Sequence, residues 1–162
     1  MSKNRLSHTV LKEIGFSLLA EGKTIRVKAD GLSMYPSVKP GSIIFIEPLK
    51  EGIIPAAGEI IAWKKESGFV VHRLVRHLKI DKTDYFVTRG DSSMDEDDPV
   101  PFDQIAGKVV KIEYPEGKNV PENRYSNKKP NYRLYRLFVW IILQISRIKR
   151  IMPPNPRKGA DR

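Results

Sequence analysis

Six short segments rich in β-branched and aromatic residues, each bounded by Gly, Pro, Asp or Lys-rich turns, restrict this chain more than any other feature. They are Thr24 to Lys28, Ser42 to Glu47, Glu59 to Lys64, Phe69 to Leu78, Tyr85 to Thr88 and Gly107 to Tyr114. Segments this short and evenly spaced predict a mainly β fold, a small coiled β-barrel or sheet spanning residues 23–114. Pro48 to Gly58 reads as a loop or two short extended pieces. Ahead of the strands, Val10, Leu11, Ile14, Leu18 and Leu19 recur at helical spacing. They predict an amphipathic helix over residues 8–21, ended by Gly22, that packs on the β domain as the unit 1–22. It is too short to be a helix-turn-helix DNA reader.

With 162 residues, 40% of them apolar, the chain buries a core without staples. It has no cysteine, which excludes disulfides and thiolate metal sites. The three histidines, His8, His72 and His77, lack metal-ligand spacing, so neither a metal nor a cofactor is expected. The net charge of +10 is concentrated at one end: residues 111–162 hold 13 Lys and Arg against 4 Asp and Glu. A nearly neutral domain with a basic tail suits an anionic lipid surface or nucleic acid, or serves only solubility; of the two partners nucleic acid is the less expected. Met1 to Glu21 contains neither a signal-peptide apolar region nor the roughly 20-residue apolar run that spans a bilayer.

Residues 115–131, rich in Pro, Asn, Lys and Glu, read as a linker. A helix follows within 132–152, strongest over Leu134 to Ile148, and residues 153–162 form a basic tail. Only ten residues separate Arg136 from Arg147, about 15 Å of helix against a hydrocarbon core of about 30 Å. The helix therefore either lies in a membrane interface, placing residues 132–162 on anionic headgroups, or docks on the apolar surface of its own domain. The protein is accordingly membrane-associated through this helix, or cytoplasmic.

Residues 29–48 carry the chemical signal. A turn at Asp30-Gly31 presents Ser33, then Met34 and Tyr35, and Pro36 stops the segment before a second turn at Lys39-Pro40-Gly41. A serine held just past a glycine turn between two strands has little freedom, and its own N–H is a candidate oxyanion donor. Further on, His72 lies in Val70-Val71-His72-Arg73, where alternation puts it on one face with Val70, Leu74 and Arg76, and His77 on the other. Two aspartates, Asp91 after Gly90 and Asp97 before Pro99-Val100, are candidates to orient that histidine. Asp95 and Asp98 stand beside them.

Gly31-x-Ser33-Met34-x-Pro36, followed by Gly41 and a hydrophobic strand, resembles the nucleophile box of type I signal peptidases and LexA-like serine peptidases. Val70-Val71-His72-Arg73 is similar to the strand that bears their base. Thr88-Arg89-Gly90-Asp91 with Asp97 resembles their acidic box, and Ile105-Ala106-Gly107-Lys108-Val109 the strand that closes it. The likeness spans Thr24 to Glu113. It implies the fold of that superfamily and, because no lysine fills the second box, the histidine-bearing branch of signal peptidases without their N-terminal membrane anchor. Three departures stand out. The anchor is not seen, Ser92 replaces the asparagine after Gly-Asp, and Gly31 replaces a serine whose hydroxyl helps hold the oxyanion.

The function so implied is a serine endopeptidase that cleaves signal or leader peptides beside small residues. Ser33 is the nucleophile, His72 the base, Asp97 the orienting carboxylate, and Asp91 a structural or supporting one. Gly31, Ser33, Met34 and Pro36 form the oxyanion and nucleophile turn. The alternatives are a peptide-binding accessory module on the same fold and, last, a LexA-like self-cleaving regulator.

Overall fold

The computed structural model describes residues 13–50, 52–65, 68–126 and 130–151. Helix α1 is described from residue 13 to residue 20. It ends as the sequence predicts. Gly22, at φ +80°, lets its own N–H bond to Leu19 O (3.0 Å) and the Lys23 N–H to Leu18 O (2.9 Å), a Schellman cap. Leu19 is buried in the main core, and Phe16 packs on Phe69 with ring centroids 4.4 Å apart, so α1 does lie on the sheet. Residues 8–12 and 153–162 lie outside the described residues.

Eight strands follow: β1 (Ile25–Ala29), β2 (Ser42–Glu47), β3 (Ile60–Lys65), β4 (Gly68–Ile80), β5 (Thr83–Arg89), β6 (Val100–Pro101), β7 (Ile105–Glu113) and β8 (Asn119–Val120). They form one antiparallel sheet in the order β1-β2-β7-β3-β4-β5-β6, with β8 paired to the far end of β7. The fold is mainly β, as expected. The sheet stays open, with β1 and β6 at its ends, so it is a coiled sheet and not a closed barrel.

Patterning explains where each strand sits. In β2, Ser42, Ile44 and Ile46 point inward, while Ile43 and Phe45 remain half-exposed. The first four residues of β3, Ile60 to Trp63, are all buried, as a strand flanked by β7 and β4 and covered on both faces requires. One core gathers on the α1 side from Ile25, Ile44, Ile46, Ile60, Val109 and Ile112, among others; a second, on the opposite face of β3, joins Ile61, Leu74 and Phe86.

Two features depart from the alternation read in the sequence. Register between β4 and β5 slips between Leu74 and Arg76, a β-bulge. Beyond it the faces exchange, and His77 sits across from Phe86, stacked on its ring at 5.1 Å. His77 therefore shares the face of His72 instead of opposing it; it pairs with Asp84 (2.7 Å). Second, residues 115–131 are not only a linker. Strand β8 and the short helix α2 (Glu122–Tyr125) lie within them, and Val120, Tyr125 and Ser126 are buried.

Helix α3 (Tyr132–Ile151) starts at an Asn131 cap, whose side-chain oxygen accepts from the Leu134 N–H (3.2 Å). Leu137, Phe138, Trp140 and Leu143 on it are exposed, so it does not dock on the sheet as an ordinary packed helix would. Its first turn touches the domain where the Arg89 guanidinium lies 3.9 Å over the Tyr132 ring. Among the described residues no helix is long and apolar enough to cross a membrane.

Candidate active site

Ser33 sits in the excursion between β1 and β2. Gly41, at φ +83°, closes that excursion by donating its N–H to Ala29 O at the foot of the hairpin. Within it, Met34 and Val38 are driven into the main core, at 4% and 2% exposure. Burying side chains of that size is worth about 1.5–3 kcal/mol each, which pins the turn on both sides of the serine. The Tyr35-Pro36 peptide is cis.

From across the sheet the acidic loop grips the same turn. The Ser92 N–H and hydroxyl both donate to Ser33 O, at 2.8 and 3.0 Å, and the hydroxyl also reaches Leu32 O at 2.6 Å. Gly90 is required by this closeness: a Cβ there would stand 2.7 Å from Ser33 O. Ser92, a departure in the sequence, is thus part of the support of Ser33. Its hydroxyl gave no signal of that in the sequence, because both its acceptors are backbone atoms some sixty residues away.

His72 is presented by β4 directly toward the turn. Its Nε2 lies 3.1 Å from Ser33 Oγ and its Nδ1 lies 2.6 Å from Asp97 Oδ2. Asp97 is held by strand β5: its N–H donates to Thr88 O (2.8 Å), and the Thr88 hydroxyl donates to Asp97 Oδ2 (2.6 Å). Burial opposes charge on Asp97, but the His72 and Thr88 hydrogen bonds outweigh it and hold the carboxyl below its ordinary value. An ionised carboxylate only accepts, so Nδ1 carries the proton and Nε2 is left as an acceptor facing the serine hydroxyl.

Asp91 stands apart from this chain. It is fully buried and makes a two-pronged pair with Arg73, Nε to Oδ1 and Nη2 to Oδ2 at 2.7 Å each, with Ser37 Oγ also donating to it. Arg73 Nη1 further donates to Gly58 O (2.7 Å) and to Tyr125 O. One buried ion pair therefore ties β4, the acidic loop, the Ser33 turn and α2 together. Ser37 was not singled out in the sequence, and Arg73 entered only as part of Val70-Val71-His72-Arg73, with no role of its own.

Among the described residues no protein acceptor takes the Ser33 N–H, which leaves it available to an oxyanion. At Gly31 a Cβ would meet nothing within 4 Å, so no crowding dictates glycine there. Beside Ser33 and His72 lies a cavity of about 350 Å³, lined mainly by Val27, Ala29, Met34, Val70 and Phe69, with Lys28 and Lys65 at polar positions. Five expected residues, Gly31, Ser33, Met34, His72 and Asp97, line this one cavity; Asp91 and Pro36 do not. Comparison with protein-family profiles and with curated protein sequences found no match.

Proposed function

We propose that the protein is a serine endopeptidase of the signal peptidase kind, working through Ser33 and His72. The observation that carries this reading is the unbroken line Ser33 Oγ to His72 Nε2 to Asp97, at 3.1 and 2.6 Å. His72 takes the hydroxyl proton as Ser33 Oγ bonds to the scissile carbonyl carbon. The resulting oxyanion sits against the Ser33 N–H, and Asp97 stabilises the imidazolium. His72 then passes the proton to the leaving amine as the C–N bond breaks. Water, deprotonated by the same imidazole, releases the acyl group and restores the serine.

The cavity beside Ser33 has largely aliphatic and aromatic walls, which suits an apolar side chain next to the cut. Incubation of the purified protein with peptides bearing small residues, read by mass spectrometry, tests the reading. Cuts made by the unaltered protein and abolished in Ser33→Ala and in His72→Ala are expected. Cleavage retained in both variants would sink the assignment. No cleavage by the unaltered protein, with vesicles present, would leave a peptide-binding module as the better account.

A further inference from the structure

Helix α3 carries exposed apolar side chains over most of its circumference and arginines along one side, and the β domain covers none of these exposed side chains. Arg133, Arg136 and Arg147 fall on one side of the helical wheel, and all three are exposed, with Trp140 between them and Leu137 and Leu143 flanking, also exposed. Leu134, Phe138, Ile141 and Ile145, spaced by four, three and four residues, fall on the other, with exposures of 43%, 46%, 39% and 48%. Four large side chains left that open along one stripe demand a cover. The charge of the segment says which: from residue 123 to residue 160 there are ten Lys and Arg and no Asp or Glu. A second copy of this chain would bring the same positive charge against itself. A hydrocarbon surface with anionic headgroups satisfies both the apolar and the basic side chains.

We infer that α3 binds flat in the headgroup region of an anionic bilayer, with Leu134, Phe138, Ile141 and Ile145 toward the acyl chains and the three arginines toward phosphates. The 20-residue helix is about 30 Å long, but Arg136 and Arg147 interrupt its apolar stretch, so it lies along the surface and does not cross. Its first turn rests on Arg89 beside the Gly90-Asp91-Ser92 loop, so attachment holds the Ser33 region close to that surface.

The test uses the full chain carrying Ser33→Ala, with vesicles of phosphatidylcholine alone or mixed with phosphatidylglycerol. The protein should sediment with the mixed vesicles at low salt, and far less with the neutral ones or at about 1 M salt, where charges are screened within about 3 Å. Trp140 is 58% exposed and Trp63 is buried, so a blue shift of fluorescence on binding, absent in Trp140→Phe, reports α3 entering the interface. Phe138→Ser with Ile141→Ser should weaken partition by about tenfold or more while leaving thermal unfolding of the sheet unchanged. Protein remaining in the supernatant with mixed vesicles at low salt would overturn the inference. So would a vesicle-free dimer that hides Trp140, or binding to an oligonucleotide without binding to vesicles. No readout involves cleavage, so the inference is independent of the peptidase reading.

Discussion

Asp97 and Asp91 are the same side chain six positions apart, and their surroundings separate them completely. Asp97 faces the imidazole at 2.6 Å and remains partly open to water; Asp91 is sealed against Arg73. Under the proposed mechanism Asp97→Asn should leave the fold intact and lower kcat by about 10³–10⁴, since the amide cannot stabilise the imidazolium. Asp91→Asn should instead strip Arg73 of its counter-charge and lower stability by about 3–5 kcal/mol, with urea titration as the measurement. Equal losses of stability in both variants would erase the distinction. Gly31 offers the converse experiment. Because a side chain there meets open space, Gly31→Ser should be tolerated and, by supplying a second oxyanion donor, raise kcat by about tenfold. An unchanged kcat in a folded variant would mean that the hydroxyl does not reach the oxyanion.

At the level of elements, the hairpin joining β4 to β5 shows local rules being overridden. Ile80 pairs with Thr83 across the two-residue turn Asp81-Lys82, both with positive φ, +48° and +69°. Such a turn ordinarily takes Asn-Gly or Asp-Gly, and the second position here is lysine. Long flanking strands hold it in place, which is why the sequence pattern closed both strands too early, at Leu78 and Tyr85. Lys82→Gly should relieve the left-handed strain and raise stability by about 1 kcal/mol, measured by thermal or urea unfolding. A loss of stability would show that the lysine backbone is not strained.

Across the whole molecule, α2 packs on the sheet from beyond the region the strand pattern covers. Burial, with a smaller contribution from Glu122, pushes the Tyr125 phenol up to about 12. In the unfolded chain that phenol ionises near 10, so its contribution is complete below pH 10 and is lost as the pH rises to about 12. A steeper alkaline loss in the parent than in Tyr125→Phe, followed by unfolding against pH, is the expected outcome; identical profiles would refute it. Burial also raises the phenols of Tyr114 and Tyr132, so some alkaline loss should persist in the variant. Acid acts in the other direction. The carboxyl of Asp97 is held low, so its contribution stands above the ordinary carboxylate value and is lost as pH falls through its folded value.

Much of this was written locally in the chain. Alternation of β-branched residues determined six strands, a glycine determined where α1 stops, and Gly31-x-Ser33-Met34-x-Pro36 marked out Ser33, although the turn itself runs over residues 33–37 and not at Asp30-Gly31. These are short-range effects of sterics and period, so they are legible without a fold. The tertiary structure decided the rest. Only the bulge after Leu74 turned His77 back to the face of His72, because a one-residue slip reverses every side chain beyond it. Only packing revealed that Ser92 braces the Ser33 turn, that Arg73 is buried, and that Val120 and Tyr125 belong to the core. Each depends on partners dozens of residues away, and a buried arginine or a serine bonded to a distant carbonyl leaves no periodic trace in its own neighbourhood. The choice between Asp97 and Asp91 was of the same kind: identical carboxylates, separated only by what the folded sheet places within hydrogen-bond reach of each.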